Sequence, residues 1–345
     1  MSSIDRFTII ATSSHPEMAR YVSEKLSIPI TETELTKFAN GETNVKINKS
    51  IRGKHVYIIG TGSGSTVNTN SGPVNVSLND NLMEILLLVD GCKRSLNNTD
   101  TLTVVLCNYP YARSDKKDHR GPISAKLVAT LLNAAGIDSL ITFDLHARQI
   151  QGFLDTPFAN IYARDALVDY FKNTMFKDDT DLNSKYVLVS PDNGGTKRII
   201  SWSKRLGINN VIMHKARDYN KQNTVDKCIL IANDLESLKG KTAIVVDDIT
   251  DTMGTMVEAS KELIANGFGD VIIVATHGVL SGEAINRINN NNFIKHIVVT
   301  NTIDQTENLK KVTPGKLLVV NVGDVLASVI NRINTGVSIS ELWDN

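Results

Sequence analysis

The sequence predicts an α/β fold of two domains, each a mainly parallel sheet flanked by helices. Three observations carry this expectation. Apolar runs of four or five residues recur along the chain. Longer amphipathic segments separate them, and strand–helix alternation is the pattern of parallel βαβ units. The length of 345 residues fits about two domains at roughly 150 residues each.

The runs lie at 7–10, 56–59, 102–106, 140–143, 186–189, 242–246, 271–275 and 317–320. Consecutive apolar positions of this kind suit strands covered on both faces. Segments 16–26, 82–92, 123–135, 196–206 and 256–265 read as helices. In the last, Met256, Ala259, Leu263 and Ile264 share a face, and Gly267 follows as a stop. Both halves place polar loops directly after strands, without a residue-level repeat. A boundary near Asn160 gives domains 1–160 and 161–345. The stretch 60–79, GTGSGSTVNTNSGPVNVSLN, is rich in Gly, Ser, Thr and Asn and reads as a long flexible surface loop. It has no Lys and no Walker pattern, which makes a phosphate cradle the weaker reading.

Bulk properties narrow the function. Hydrophobic residues make up 41 % and charged residues 21 %, an ordinary globular balance. Lys plus Arg is 37 and Asp plus Glu is 37, so the basic excess of a nucleic-acid binder is missing. Small anionic ligands are not excluded, because local charge can differ from net charge. Cys92, Cys107 and Cys228 are far apart and read as buried free thiols of a reducing compartment. No signal peptide is evident, and no apolar stretch approaches the ~20 residues of a membrane span. A cytoplasmic protein without a membrane partner is the expectation.

The richest motif is 247–255, DDITDTMGT, which follows the apolar run TAIVV and precedes a helix. Ligands of open α/β sheets bind at such carboxyl ends. Asp247 and Asp248 can accept hydrogen bonds from two adjacent sugar hydroxyls. Thr250, Thr252 and Thr255 offer hydroxyl donors, Gly254 allows close backbone approach, and Asp251 and Met253 complete the stretch that a family resemblance assigns to the same loop. Free N–H groups at the helix start can hold a phosphate. An acidic turn with a threonine cap is the plainer alternative.

VVDDITDTMGT resembles the ribose 5-phosphate loop of the phosphoribosyl family, which phosphoribosyltransferases share. FANGET at 38–43, PYARSDKKD at 110–118, FDLHARQIQGFLDTP at 143–157, SPDNGGTKR at 190–198 and THGVLSGEAINRINN at 276–290 are similar to ribose-phosphate pyrophosphokinases of the phosphate-regulated class. The similarity runs from about 7 to 343. It implies two related phosphoribosyltransferase-type domains and one reaction. The anomeric hydroxyl of ribose 5-phosphate attacks the β-phosphorus of Mg²⁺-ATP, giving phosphoribosyl pyrophosphate and AMP. Such a transfer relies on positioning and charge stabilisation.

The same resemblance assigns roles. Lys215 and Arg217 stand in the catalytic loop. Phe38, Asn40, Glu42, Arg113, Ser114, Asp118 and His146 match the ATP site. Asp192, Asn193, Gly194 and Gly195 match the pyrophosphate loop, and His146 and Asp192 are candidate Mg²⁺ ligands. Ser50, Arg52, Gln151, Asn160, Ser338 and Ser340 match a site for phosphate and ADP as effectors. The family implies homo-oligomers, dimers assembled into hexamers, with paralogous subunits as a variant. Departures include Ser114 where Gln is usual, Arg148 for Ser, Ala159 for Asp, a shortened KKDHRGPISAK and the added stretch 60–79. They cluster near the effector site and predict a weaker phosphate requirement. Two alternatives are a nucleobase phosphoribosyltransferase and a non-catalytic subunit of a synthetase assembly.

Overall fold

The computed structural model describes residues 6–69, 72–98, 100–117, 120–216, 227–231 and 235–343. The chain divides into two compact units. Unit 1 comprises Met1–Tyr162, Thr302–Asp304 and Val322–Asn345, and unit 2 comprises Ala163–Asn301 and Gln305–Asn321.

In unit 1, strands β1 (Phe7–Ala11), β4 (His55–Gly60), β7 (Leu102–Leu106), β8 (Ser139–Phe143) and β9 (Phe158–Ile161) form an all-parallel sheet in that spatial order. Side chains alternate across a strand, and the core follows that period. Val56, Ile58, Leu102 and Val104 face a cluster with helices α2 (Leu78–Lys93) and α3 (Ser124–Ala135). Tyr57 faces the opposite side, where its hydroxyl donates to Asn334 of α10 (Gly323–Thr335). Helix α1 (Pro16–Leu26) begins with proline, whose missing N–H costs nothing there, and packs beside α10. Two hairpins complete the unit: β2 (Thr33–Lys37) with β3 (Thr43–Ile47), and β5 (Ser65–Thr69) with β6 (Gly72–Val76).

Unit 2 holds a sheet in the order β12-β11-β10-β13-β14-β15-β16. Its strands are β10 (Tyr186–Ser190), β11 (Asn210–Ala216), β12 (Lys227–Ile231), β13 (Thr242–Thr250), β14 (Val271–Gly278), β15 (Ile294–Thr300) and β16 (Leu317–Val320). All neighbours are parallel except β11 and β12. Helices α4 (Arg164–Tyr170), α5 (Leu182–Lys185), α6 (Thr196–Leu206), α7 (Gly254–Ala265), α8 (Ala284–Asn290) and α9 (Thr306–Leu309) connect them. On α6, Ile199, Trp202 and Leu206 recur at helical spacing and are buried. From β10 the chain moves outward to β11 and returns to β13 on the other side of β10. That reversal is a topological switch point, where open sheets leave a crevice.

The α/β architecture agrees with the sequence expectation, and the predicted apolar runs all fall within strands. The 60–79 stretch does not. It forms the β5–β6 hairpin and the first turn of α2, capped by the Ser77 hydroxyl accepting from the Asp80 N–H at 3.1 Å. Alternation of Val67, Val74 and Val76 with polar residues allowed this pairing, and the low apolar content hid it. Strand β13 also runs four residues further than the apolar run, so Asp247 and Asp248 sit on a strand rather than in a loop. The segment 322–345 groups with unit 1, because Leu326, Val329 and Ile330 of α10 are buried there and α10 packs on α1. The expected 161–345 domain had it in the second half. Cys92 and Cys107 are buried free thiols, and burial pushes both up to about 12. The side chain of Cys228 lies outside the described residues.

Candidate functional site

Some of the predicted residues lie at the switch point in unit 2. Pairing of β10 with β13 ends at Val189 and Val245, so the last part of β13 has no β10 neighbour. Asp247 and Asp248 occupy that segment. Arg198, from the first turn of α6, bridges them: Nη1 donates to Asp247 at 2.8 Å and Nη2 to Asp248 at 2.7 Å. The Asp248 side chain is only 5 % exposed, whereas that of Asp247 is 22 % exposed. Burial, then the neighbouring Asp248 charge, hold the Asp247 carboxyl well above the usual range, with Arg198 opposing. The bridged pair leaves Asp247 partly open to a ligand and Asp248 buried.

The loop after β10 forms the adjoining wall. Asp192 caps the short turn Asn193–Gly195, its carboxylate accepting from the Gly195 N–H at 3.2 Å. Gly195 is required by close approach, because a Cβ there would lie 2.3 Å from Ser190 Oγ. Asn193 hydrogen-bonds His214 of β11 at 3.1 Å. Gly194 faces open space apart from Asp192.

On the far side of β13, the loop 251–255 is latched rather than loose. Met253 has φ 64°, a left-handed conformation costly for a side-chain-bearing residue. Its side chain is 2 % exposed and its sulfur accepts from Thr250 Oγ1 at 2.9 Å, which anchors the turn. Ser281 donates to Asp251, and Arg287 donates to the Thr252 carbonyl at 2.6 Å. Gly254 opens α7, whose start carries no side-chain cap. The first amides of this helix are therefore available to an anion. Asp247, Asp248, Asp251, Thr252, Met253, Gly254 and Thr255 thus lie at and just beyond the end of β13, and Asp192, Asn193, Gly194 and Gly195 just beyond the end of β10.

The remaining expected residues of unit 1 are spread over loops. Phe38, Asn40 and Glu42 form the tip of the β2–β3 hairpin. Asn40 accepts from the Glu42 N–H at 3.1 Å, Gly41 has φ 91°, and Phe38 stands 56 % exposed. Arg113 is exposed after β7, and His146 is exposed after β8. Ser114 accepts from the Ser124 N–H at 3.2 Å, so this departure from Gln ties the start of α3. Asn160 accepts from the Leu145 N–H at 2.9 Å and Gln151 donates to the Arg148 carbonyl at 3.1 Å. Asn160, on β9, ties down the loop after β8, and Gln151 bonds within its own turn. The Ser50 hydroxyl accepts from the Arg52 N–H at 3.4 Å, and the Ser338 carbonyl accepts from Arg332 at 2.6 Å. Ser340 is exposed in the C-terminal turn.

Asp118 and Arg217 lie outside the described residues, as does the side chain of Lys215, whose backbone pairs with Cys228 between β11 and β12. Among the described residues, no group of three His, Cys, Asp or Glu is close enough to hold a metal ion. Sequence reasoning missed Arg198, Ser281 and Arg287. The signal for Arg198 was its place at the end of SPDNGGTKR, in the first turn of the helix that faces the next strand.

Comparison with known proteins follows this geometry. The family model for the N-terminal domain of ribose phosphate pyrophosphokinase matches residues 7–136, and that for the phosphoribosyl synthetase-associated domain matches 231–344. The crystal structure of phosphoribosylpyrophosphate synthetase from Mycobacterium smegmatis is similar, with 34 % identity and a TM-score of 0.80. The match covers 96 % of this chain and 99 % of that one. Adenine phosphoribosyltransferase from Saccharomyces cerevisiae matches at 17 % identity over 36 % of this chain and 72 % of its own, with a TM-score of 0.29. That likeness carries no argument. Domain matches in both halves, with near-complete coverage of a 34 % identical relative, establish that this chain belongs to the ribose-phosphate pyrophosphokinase family.

Proposed function

We infer that the chain transfers the β,γ-pyrophosphoryl group of ATP to the C1 hydroxyl of ribose 5-phosphate, giving phosphoribosyl pyrophosphate and AMP. The observation that carries the substrate assignment is the Asp247–Asp248–Arg198 cluster beside the uncapped start of α7. The helix amides and the hydroxyls of Thr252 and Thr255 receive the 5-phosphate. Asp247 and Asp248 accept from two ribose hydroxyls and fix the ring. Arg198 keeps the two carboxylates from repelling each other before substrate enters. Fixing the ring fixes C1, whose hydroxyl attacks the β-phosphorus as AMP leaves.

The turn Asn193–Gly195 directs backbone amides toward the transferred pyrophosphate. Asp192, a hard oxygen ligand, and the His146 imidazole are each candidates to hold Mg²⁺. One or two protein ligands suit this ion, which takes its other ligands from phosphate oxygens and water. Bound there, Mg²⁺ supplies charge neutralisation of the phosphates. Phe38, Asn40 and Glu42 offer a ring face, an amide and an acid to adenine, with Arg113, Ser114 and Asp118 assigned to the rest of ATP. Lys215 and Arg217 supply positive charge in the transition state. Phosphate and ADP as effectors through Ser50, Arg52, Gln151, Asn160, Ser338 and Ser340, assembly of copies and a cytoplasmic location rest on the family alone. No described helix is long and apolar enough to cross a membrane.

The test is AMP release from ATP and ribose 5-phosphate by the purified chain, with no nucleobase and no partner present. Release that is lost in Lys215→Ala and Asp192→Ala supports the reading. Silence of the isolated chain under Mg²⁺ saturation counts against it.

A further inference from the structure

The two hairpins of unit 1 and the first turns of α2 line a half-open cavity of about 400 Å³. Its walls are Leu35 of β2 and Val67, Val74 and Val76 of the added hairpin. The register explains why these valines agree. Val67 lies opposite Val74, and Val76 follows two residues on, so all three share one face. Thr66 bonds Asn75 at 3.1 Å, and Asn75 adds a polar group to the lining beside Thr36, Lys37 and Thr43. An otherwise polar hairpin therefore turns its apolar row toward the cavity.

Glu84 also lines the cavity, in the second turn of α2. It is 6 % exposed, and one carboxylate oxygen accepts from the Ser13 N–H at 2.7 Å. Burial holds its carboxyl above the usual range, against the opposing Ser13 bonds and the Lys37 charge. The nearest lysine is already engaged: Lys37 pairs with Asp80 at 3.1 Å, both side chains about two-fifths exposed, at 43 % and 38 %. A plain structural role as a bracket for Ser13 accounts for the bonds from Ser13 to Glu84. It leaves unexplained the open volume beside that carboxyl and the valines that line it.

We propose that this cavity binds a small organic monocation, a compact apolar body carrying one amine or amidine head. The body lies against Leu35 and the three valines, and the head donates to Glu84. Glu84, Asp80 and Lys37 sum to one negative charge, which a single cation neutralises. A planar amidine matches a carboxylate through two parallel hydrogen bonds. The volume lies within the range of ligand pockets, roughly 300–1,000 Å³. Such an occupant braces the base of the hairpin whose tip carries Phe38, Asn40 and Glu42. A changed apparent KM for ATP follows, and that consequence rests on the proposed ATP reading of the tip, whereas binding does not.

The probe is benzamidine, with neutral benzamide as control, titrated into the full chain by calorimetry and followed by saturation-transfer NMR. A fragment of this size should bind with a Kd of about 1 mM, and benzamide roughly tenfold or more weakly. Glu84→Gln, nearly isosteric, should weaken benzamidine at least about tenfold. Val67→Phe fills the cavity from an exposed hairpin, leaves Glu84 in place, and should abolish binding. Equal binding of benzamide, retention of benzamidine by both variants, or no binding at roughly tenfold higher concentration overturns the site. Benzamidine should also shift the KM for ATP in the wild type, not in Glu84→Gln, and leave that for ribose 5-phosphate unchanged. Binding with an unchanged ATP KM overturns the coupling alone.

Discussion

Each sheet ends its strands in polar residues, yet the two edges are built for opposite purposes. In unit 1 the spatial order β1-β4-β7-β8-β9 follows the chain, with no reversal. The ends of β1, β4 and β7 are filled. Thr12, Ser14, Thr61, Ser63, Asn81 and Asn108 are all at most 6 % exposed. Thr12 and Ser14 share a hydrogen bond of 2.8 Å, and Asn108 and Asn81 both donate at 2.7 Å to Ser63, to its hydroxyl and its carbonyl. Neutral groups that satisfy one another stabilise a closed edge. In unit 2 the order reverses at β10, and the corresponding groups are charged: Arg198 against Asp247 and Asp248. A reversal opens a crevice, and charge in a crevice is what a polyhydroxyl phosphate needs. Strand order and side-chain charge together, rather than polarity alone, separate a site from a packed end.

The sharpest way to break this comparison is to remove one polar group from each edge. Arg198→Ala leaves two adjacent carboxylates without their cation. We expect kcat/KM for ribose 5-phosphate to fall by about 10²–10³. Arg198→Lys should recover little, since one ammonium cannot reproduce the two-pronged bridge. Asn108→Ala should instead lower unfolding stability by about 1 kcal/mol with activity within roughly twofold. Steady-state AMP release and thermal unfolding on the variants measure both. Equal loss of activity in Asn108→Ala would end the distinction.

A second contrast concerns the cost of the open edge. Asp247 has its carboxyl raised by burial and by Asp248. A group with a raised folded-state pKa favours folding fully below its unfolded value of about 3.8. That contribution is lost as pH rises from the unfolded value through the folded one, so near neutral pH keeping this carboxyl buried costs stability. Asp247→Asn should abolish turnover and raise unfolding stability near neutral pH by about 1 kcal/mol. The gain should shrink as pH falls toward the unfolded value. Denaturant melts across that pH range provide the check, and a gain that grows on acidification contradicts the sign.

Backbone packing gives a third. A Cβ on Gly62 would lie 2.3 Å from Pro110 Cδ and 2.6 Å from the Asn108 carbonyl. Gly62→Ala should destabilise by about 1–3 kcal/mol through overpacking. A Cβ on Gly194 meets nothing nearer than Asp192 Oδ1 at 3.1 Å. Gly194→Ala should cost under about 1 kcal/mol and show itself in KM for ATP.

The two edges also differ in how far the sequence discloses them. DDITDTMGT and PDNGG are local patterns, so their place at strand ends follows from the apolar runs before them. Arg198 acts on residues 49 and 50 positions away, and no local window contains both partners. The filled edge of unit 1 is less legible still. Thr12, Ser63, Asn81 and Asn108 come from four segments and look like ordinary loop residues until the sheet brings them together. The β2–β3 hairpin had a readable signal, alternating residues on either side of Asn40-Gly41. In β5–β6 the alternation is equally present, but polar composition favoured a loop reading. Helix α10 could not be assigned to its unit from sequence, because its packing partner α1 lies about 300 residues earlier.

The smallest expected effect probes how complete the filling is. Thr61 is 1 % exposed, and its hydroxyl finds no hydrogen-bond partner among the described residues, although its N–H donates to Ser14 at 2.9 Å. A buried hydroxyl without a partner carries a desolvation cost. Thr61→Val keeps the shape, removes the hydroxyl and leaves the backbone bond. Stability should change by about +0.5 to +1 kcal/mol in favour of folding, with AMP release unchanged. A loss of stability would mean that the hydroxyl is satisfied in solution, by water at an edge that is then less closed than its packing indicates. The same substitution logic does not transfer to unit 2, where replacing a polar group removes a contact the substrate is expected to use.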